Sequence, residues 1–239
     1  MAQPFRIGVM QLTMEPLEEM LESARVMDRA GMDTIWLAEA YPWWRKHGME
    51  ARSSTVVSGL IAKATERLTV GWGIISPFTR HPVQVAMDAR VVQEAAGPGR
   101  FLLGFGTSKI FLNNARINGK RTLGPMRDAV EIVRGVLGGQ PFVYEGDTWS
   151  ADVPGLQDDA VTPRAVPPVY VAATAPKMQT FMIIAVQRNF SKPKPSANGG
   201  TAAIKRRLVQ RPCSTCPAMN IAGSCAAAAR IDPITSSTA

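Results

Sequence analysis

Cysteine is absent from the first 179 residues, so neither disulfides nor cysteine-based zinc sites can hold this part of the chain together. No apolar run reaches the ~18 residues that a transmembrane helix needs. The first residues also lack the apolar segment of a secretory signal. We therefore expect a cytoplasmic protein with no membrane partner.

Acidic side chains are almost missing from residues 180–239, which contain eight lysines and arginines and a single acid, Asp232. Residues 1–179 are nearly balanced, with 19 basic and 18 acidic side chains. The last segment is also rich in Ala, Ser, Thr and Pro. We therefore predict two parts: a folded domain over residues 1–179, and a basic, low-complexity, largely disordered tail over residues 180–239.

The tail contains two motifs that do not predict a function. Cys213 and Cys216 have the spacing of metal ligands, but one such pair without a second one does not indicate a metal site. The basic run Lys205, Arg206 and Arg207 has no interleaved aromatic residues for base stacking, which disfavours a nucleic-acid partner.

Residues 1–179 contain five apolar segments that alternate with segments of helical periodicity. Strands are predicted over residues 5–10, 34–38, 68–75, 101–106 and 168–173, and helices from about residues 16, 53, 82 and 125. A short hairpin over residues 141–149 is predicted to lie outside the core.

Strands that are apolar throughout and separated by helices indicate a parallel sheet covered on both faces. A repeat of ~30 residues favours a (β/α)8 TIM barrel, with a doubly wound sheet as the alternative. No Gly-x-Gly-x-x-Gly motif follows the first strand, which disfavours that alternative. Because five units already use 179 residues, we expect a barrel truncated after about five βα units, with an exposed sheet edge after the fifth strand.

The third strand carries the most informative segment, residues 70–82. Gly71 and Gly73 interrupt an apolar run, which is costly unless a backbone or a ligand must approach closely. A polar cluster follows at once: Ser76, Thr79, Arg80 and His81. The C-terminal end of a strand is where barrel enzymes place their chemistry. An ordinary strand, turn and helix is the alternative interpretation.

Four segments together resemble the luciferase-like flavin and deazaflavin oxidoreductases, and most closely the methylenetetrahydromethanopterin reductase group. They are residues 73–82, the Gly-Arg-Phe-Leu-Leu-Gly-Phe-Gly segment 99–106, the hairpin 137–149, and residues 167–178. The resemblance ends at about residue 180. It implies a TIM barrel whose C-terminal mouth binds FMN or coenzyme F-420, a deazaflavin, with a small organic substrate.

The resemblance also implies roles for individual residues. It places a non-proline cis peptide at Gly73–Ile74, behind the cofactor ring. The implied cofactor-binding residues are Gly73, Ile74, Ser76, Thr107, Ser108, Ala173, Thr174, Ala175 and Lys177. Around Thr174 the local sequence supports this role. Small side chains let backbone amides approach an anion, and the N-terminus of a helix that starts at Pro176 favours a phosphate.

The second strand ends in the predicted catalytic residue, Glu39, which is either an acid/base or only a hydrogen-bond acceptor. Relatives often have a histidine next to this acid, and Ala40 stands there instead. Trp43 and Trp44 are predicted to wall the substrate pocket, with a loop anchor as the alternative.

These observations leave different classes of function open. One is an oxidoreductase or monooxygenase that uses reduced flavin or deazaflavin, as a monomer or a homodimer. Another is a truncated, cofactor-deficient barrel fragment that acts at most as an association partner.

Overall fold

The computed structural model describes residues 6–41, 45, 48–119, 121–157, 165–173, 176–178 and 227–231. Five parallel strands lie side by side in it, in the order β1, β2, β3, β4, β7. Their bounds are Gly8–Leu12 for β1, Thr34–Ala38 for β2, Thr69–Trp72 for β3, Phe101–Phe105 for β4 and Val169–Ala173 for β7. The predicted α/β class with a parallel sheet is confirmed.

The helices that connect these strands are α1 (Leu17–Arg29), α2 (Ser54–Ala64), α3 (Pro82–Ala96), α4 (Lys109–Asn114) and α5 (Leu123–Leu137). The four long ones, α1, α2, α3 and α5, cover one face of the sheet. Alternate strand residues, among them Leu37, Trp72 and Leu103, are completely buried against them. In the part of the chain that the structure describes, no helix is long and apolar enough to cross a membrane.

On the opposite face the indole of Trp36 lies over Gly71 and Gly73, while Met10, its register partner in β1, is 69% exposed, so the coverage of both faces that the sequence predicts is not observed at β1. An added Cβ at Gly71 would lie 2.4 Å from this ring, and one at Gly73 would lie 3.0 Å from the Cβ of Trp36. Tyr170 meets the indole edge-on, with ring centroids 5.6 Å apart. The close approach that we predicted at these two glycines is therefore made by a side chain of the protein itself.

The hairpin predicted over residues 141–149 is present but extends further: β5 (Phe142–Glu145) and β6 (Ser150–Val153) pair antiparallel as a separate two-stranded sheet, and β6 lies beyond the predicted range. The hairpin packs against α5. The ring of Phe142 lies where a side chain at Gly135 would have to be, because an added Cβ there would be 2.2 Å from the ring. This contact explains a glycine in the interior of a helix.

Alanine at Gly135 should therefore destabilise the protein, whereas alanine at Gly59, in the interior of α2, should stabilise it. An added Cβ at Gly59 meets only Val92, at 4.0 Å. We expect Gly59→Ala to raise the free energy of unfolding by about 0.5–1 kcal/mol. We expect Gly135→Ala to lower it by about 1–3 kcal/mol, because Phe142 must move. Urea unfolding of the two variants measures both changes, and equal signs would contradict the packing argument.

One further strand, β8 (Ala227–Ile231), lies in the predicted tail and pairs antiparallel with β7. This strand was not predicted, because an alanine-rich segment has low β-propensity. The expected exposure of the sheet edge after the fifth strand is wrong, since β8 pairs along all of β7. Disorder in the rest of the tail stays a prediction, because those residues lie outside the described ranges.

Candidate active site at the C-terminal ends of the strands

The predicted site residues follow neighbouring parallel strands. Glu39 follows β2, Ser76 follows β3, Thr107 follows β4, and Ala173 ends β7. Because these strands are parallel and adjacent, their carboxyl ends lie at one edge of the sheet. The predicted residues Trp43, Trp44, Thr174 and Ala175 lie outside the described residues.

Glu39 is the centre of the polar contacts at this edge. Its side chain is only 4% exposed and forms an ion pair with Arg80, whose Nη1 donates to Oε1. The other oxygen, Oε2, accepts the backbone N–H of Ser76 at 3.0 Å. Each oxygen of this buried carboxylate thus has a protein donor. The arrangement fits the acceptor role of Glu39 directly, and its acid/base role stays a prediction.

The segment after β3 is held on both sides. The peptide between Gly73 and Ile74 is cis, as predicted. On one side, Gly73 N donates to the Leu37 carbonyl at 2.8 Å, and Glu39 N donates to the Ile74 carbonyl at 3.3 Å. On the other side, Ile75 N donates to the Gly104 carbonyl at 2.9 Å.

The side chain of Ile74 lies over Gly106. An added Cβ at Gly106 would lie 2.7 Å from Cγ1 of Ile74, so only glycine leaves room for this side chain. Gly104 is restricted even more, because an added Cβ there would lie 2.0 Å from the Trp72 carbonyl oxygen. The two glycines thus allow β4 to lie directly against the segment that carries Ile74.

Ser76 and Thr79 stabilise the loop between β3 and α3. Ser76 is buried; its Oγ accepts the Phe78 N–H at 3.3 Å, and its carbonyl accepts the Thr79 hydroxyl at 3.2 Å. His81 then caps α3 by accepting the Val83 N–H at Nδ1. These hydrogen bonds show a structural role for Ser76. They do not test its contact with a cofactor, which stays a prediction.

The site also contains two aromatic residues, Tyr41 and Phe111, which were not among the predicted site residues. Tyr41, just after Glu39, packs on Phe111 of α4, with ring centroids 3.8 Å apart. Burial, and then the nearby Glu39 carboxylate, raises the pKa of Tyr41 well above its usual range. The hydroxyl therefore stays protonated at neutral pH. The sequence did carry one signal, an aromatic residue two positions after the acid that follows β2.

The residues after β4 and β7 have the chemistry that a phosphorylated, hydroxyl-rich cofactor requires. Ser108 is exposed and caps α4 by accepting the Phe111 N–H at 3.4 Å. Thr107 beside it is half-buried, and Lys177 is exposed in the helical residues 176–178. β4 and β7 are adjacent and parallel, so Thr107, Ser108 and Lys177 all follow strands at the same end of the sheet. The donor set fits such a cofactor.

Curated relatives of the chain include two F420-dependent glucose-6-phosphate dehydrogenases. The one from Gordonia bronchialis is 26% identical over 190 residues, which cover 76% of this chain and 55% of the relative. The one from Beutenbergia cavernae is 26% identical over 163 residues, covering 66% of this chain and 47% of the relative. The chain thus spans about half the length of these relatives.

Solved structures with the same fold include a coenzyme F420-dependent tetrahydromethanopterin reductase from Methanopyrus kandleri, with a TM-score of 0.60 and 22% identity. The match covers 72% of this chain and 51% of that one. A monooxygenase from Streptomyces bottropensis has a TM-score of 0.64 and 22% identity, over 76% of this chain and 57% of that one.

These likenesses confirm the predicted type of fold. Residues 1–186 match the luciferase-like monooxygenase family, a range that ends close to the predicted limit of the resemblance. Since the match covers most of the chain, this protein belongs to the luciferase-like monooxygenase family.

Proposed function

We propose that the strand-end site binds a deazaflavin (F420) or FMN, and that the protein serves in the oxidation, reduction or oxygenation of a small organic substrate. One observation carries the proposal. The chain belongs to this family, and four adjacent parallel strands are followed by polar residues at the same, C-terminal end of the sheet. The relatives from Gordonia and Beutenbergia are named as F420-dependent, which puts the deazaflavin first.

The residues divide into three roles. Thr107, Ser108 and Lys177 would hold the hydroxyls and the phosphate of the cofactor, because they supply hydroxyl groups and a positive charge at one edge. Ile74 would lie against the ring, since its side chain is half-buried at the C-terminal end of β3. Tyr41 and Phe111 would exclude water on the side of α4. When bound, the coenzyme supplies the electron or hydride chemistry.

Glu39 is the candidate to hold or move a proton at its carboxylate oxygens. No imidazole adjoins it, since the next residue is the buried Ala40. The hydrogen bonds from Arg80 and Ser76 use one acceptor site on each carboxylate oxygen, and each oxygen keeps a second lone pair at which a proton could be held.

Cofactor binding by the purified full-length protein tests the proposal. Titrations with oxidised F420 and with FMN, followed by absorbance and fluorescence, should show saturable binding of at least one of them in the micromolar range. Riboflavin, which lacks the phosphate, serves as a matched probe and should bind more weakly. Absence of binding to both cofactors would overturn the proposal and favour the cofactor-deficient association partner.

The role of Glu39 is tested by Glu39→Gln in the cofactor-loaded protein. If Glu39 moves a proton, this variant should lower turnover by about 10²–10⁴-fold, well beyond any loss of cofactor affinity that follows from its weaker pairing with Arg80. Unchanged turnover would remove Glu39 from the proton chemistry and leave it as an acceptor.

A further inference from the structure

Arg80 lies in the loop between β3 and α3, yet its side chain points to the end of a different strand. Its guanidinium pairs with Glu39, which follows β2, and the two side chains are 22% and 4% exposed. A buried carboxylate is stable only with a counter-charge and hydrogen-bond donors. In the described contacts the Glu39 carboxylate has the Arg80 guanidinium as its counter-charge; it also accepts the backbone N–H of Ser76 and interacts with the Tyr41 hydroxyl.

The charge balance agrees with a tight pair. Burial acts to lower the pKa of Arg80, but the attraction of the Glu39 carboxylate outweighs burial, and the pKa is raised. The guanidinium is therefore charged at every accessible pH. Removing it would leave the carboxylate buried without a cation, and Glu39 would have to move toward water.

Movement of Glu39 would be transmitted to the segment after β3. The Glu39 side chain contacts this segment through the Ser76 N–H at 3.0 Å, while the backbone N–H of Glu39 donates to the Ile74 carbonyl at 3.3 Å. These two groups flank Ile75, which is itself bound to β4 through Gly104. Loss of the carboxylate contact would free the Ser76 N–H, so that the segment would be held on the β2 side only by the backbone bonds from Gly73 N to Leu37 and from Glu39 N to Ile74.

We propose that Arg80 is a positioning residue, which fixes the Glu39 carboxylate and through it the backbone that presents Ile74 to the cofactor ring. The inference rests on the proposed function for what Ile74 faces. Its structural part, the coupling from Arg80 through Glu39 to residues 74–76, does not depend on it.

The test compares Arg80→Met and Arg80→Lys with the control Arg25→Met in the full-length protein. Arg25 forms an exposed ion pair with Glu22 on α1, away from the strand ends. The probes are F420 and FMN. The readouts are the dissociation constant, the visible spectrum of the bound cofactor, and amide hydrogen exchange of peptides that contain residues 74–78.

Arg80→Met should weaken binding about 10-fold or more, since small misplacements of positioning groups have effects of this size. It should also change the spectrum of the bound cofactor and speed exchange at Ser76. Arg80→Lys, which keeps the charge, should restore part of the affinity, the spectrum and the slow exchange, and Arg25→Met should change none of the three. In a Glu39→Ala background, Arg80→Met should have little further effect.

The outcomes separate the two ideas. If the wild type binds neither probe, the proposed function fails, and faster exchange at residues 74–78 in Arg80→Met would still support the coupling. Wild-type affinity, spectrum and exchange in Arg80→Met would overturn the inference while the proposed function stands. Should Arg80→Met not fold, Arg80→Lys decides: wild-type values for all three readouts would again overturn it, and partial loss would support it.

Discussion

Gly104→Ala should lower the free energy of unfolding by at least about 3 kcal/mol, more than the usual cost of an overpacked core, because the obstacle is backbone. The added methyl group would lie 2.0 Å from the Trp72 carbonyl oxygen. No rotation of a side chain can relieve this contact. Adjacent strands would have to separate where Ile75 N donates to the Gly104 carbonyl. Urea unfolding, followed by circular dichroism, measures the loss.

Gly8→Ala is the matched control, because Gly8 is also a strand glycine, in β1. There an added Cβ would lie 3.4 Å from its nearest atoms, the Thr34 carbonyl oxygen and Nε1 of Trp36, which is ordinary contact. We expect a change within about 0.5 kcal/mol in either direction. A loss at Gly8 as large as that at Gly104 would mean that glycine itself, and not the Trp72 carbonyl, is what these strands require.

The strands and long helices could be predicted because one physical pattern defines them. A strand in a parallel sheet covered by helices is apolar along its whole length, and β2 was predicted with the bounds that it has, Thr34–Ala38. α3 likewise begins at a proline that suits the first helical turn and ends before Gly97. Local sequence carries these signals, so no tertiary information is needed.

The missed elements depend on contacts that local sequence does not carry. α4 has only six residues, too few to show helical periodicity, and its N-cap is Ser108. β8 owes its place to pairing with β7, about sixty residues earlier in the chain, rather than to its own propensity. Likewise the sequence placed Glu39 and Arg80 each at a strand end, but only the order of β2 and β3 in the sheet makes them partners.

Asp128 illustrates the same limit in the hairpin, because nothing in its sequence neighbourhood distinguishes it from an exposed acid on a helix. In the structure it is fully buried in α5 and holds the turn between β5 and β6. Its Oδ2 accepts the N–H groups of Thr148 and Trp149, at 2.8 and 3.2 Å, and its Oδ1 accepts the Tyr144 hydroxyl at 2.9 Å. Burial, and then the bond to Asp128, raises the pKa of Tyr144 to about 12.

Asp128→Ala should therefore lower the free energy of unfolding by about 3 kcal/mol, since it leaves three partly buried donors without their charged acceptor. Asp128→Asn keeps one acceptor oxygen for the backbone N–H groups and should cost about half as much. Chymotrypsin should cut the Asp128→Ala protein faster at Tyr144 and Trp149, because the hairpin opens locally before the core does.

The control for Asp128 is Asp147, an acid in the turn between β5 and β6. Its side chain is 75% exposed and pairs with Arg127 at 2.6 Å. An exposed ion pair of this kind contributes about 0.5 kcal/mol or less, so Asp147→Ala should leave both the urea midpoint and the cleavage rate nearly unchanged. Similar losses in the two variants would show that the charge of the turn, and not the buried hydrogen bonds of Asp128, fastens the hairpin to α5. A large loss confined to Asp128 would instead show that a single buried carboxylate joins the inserted hairpin to the helical layer.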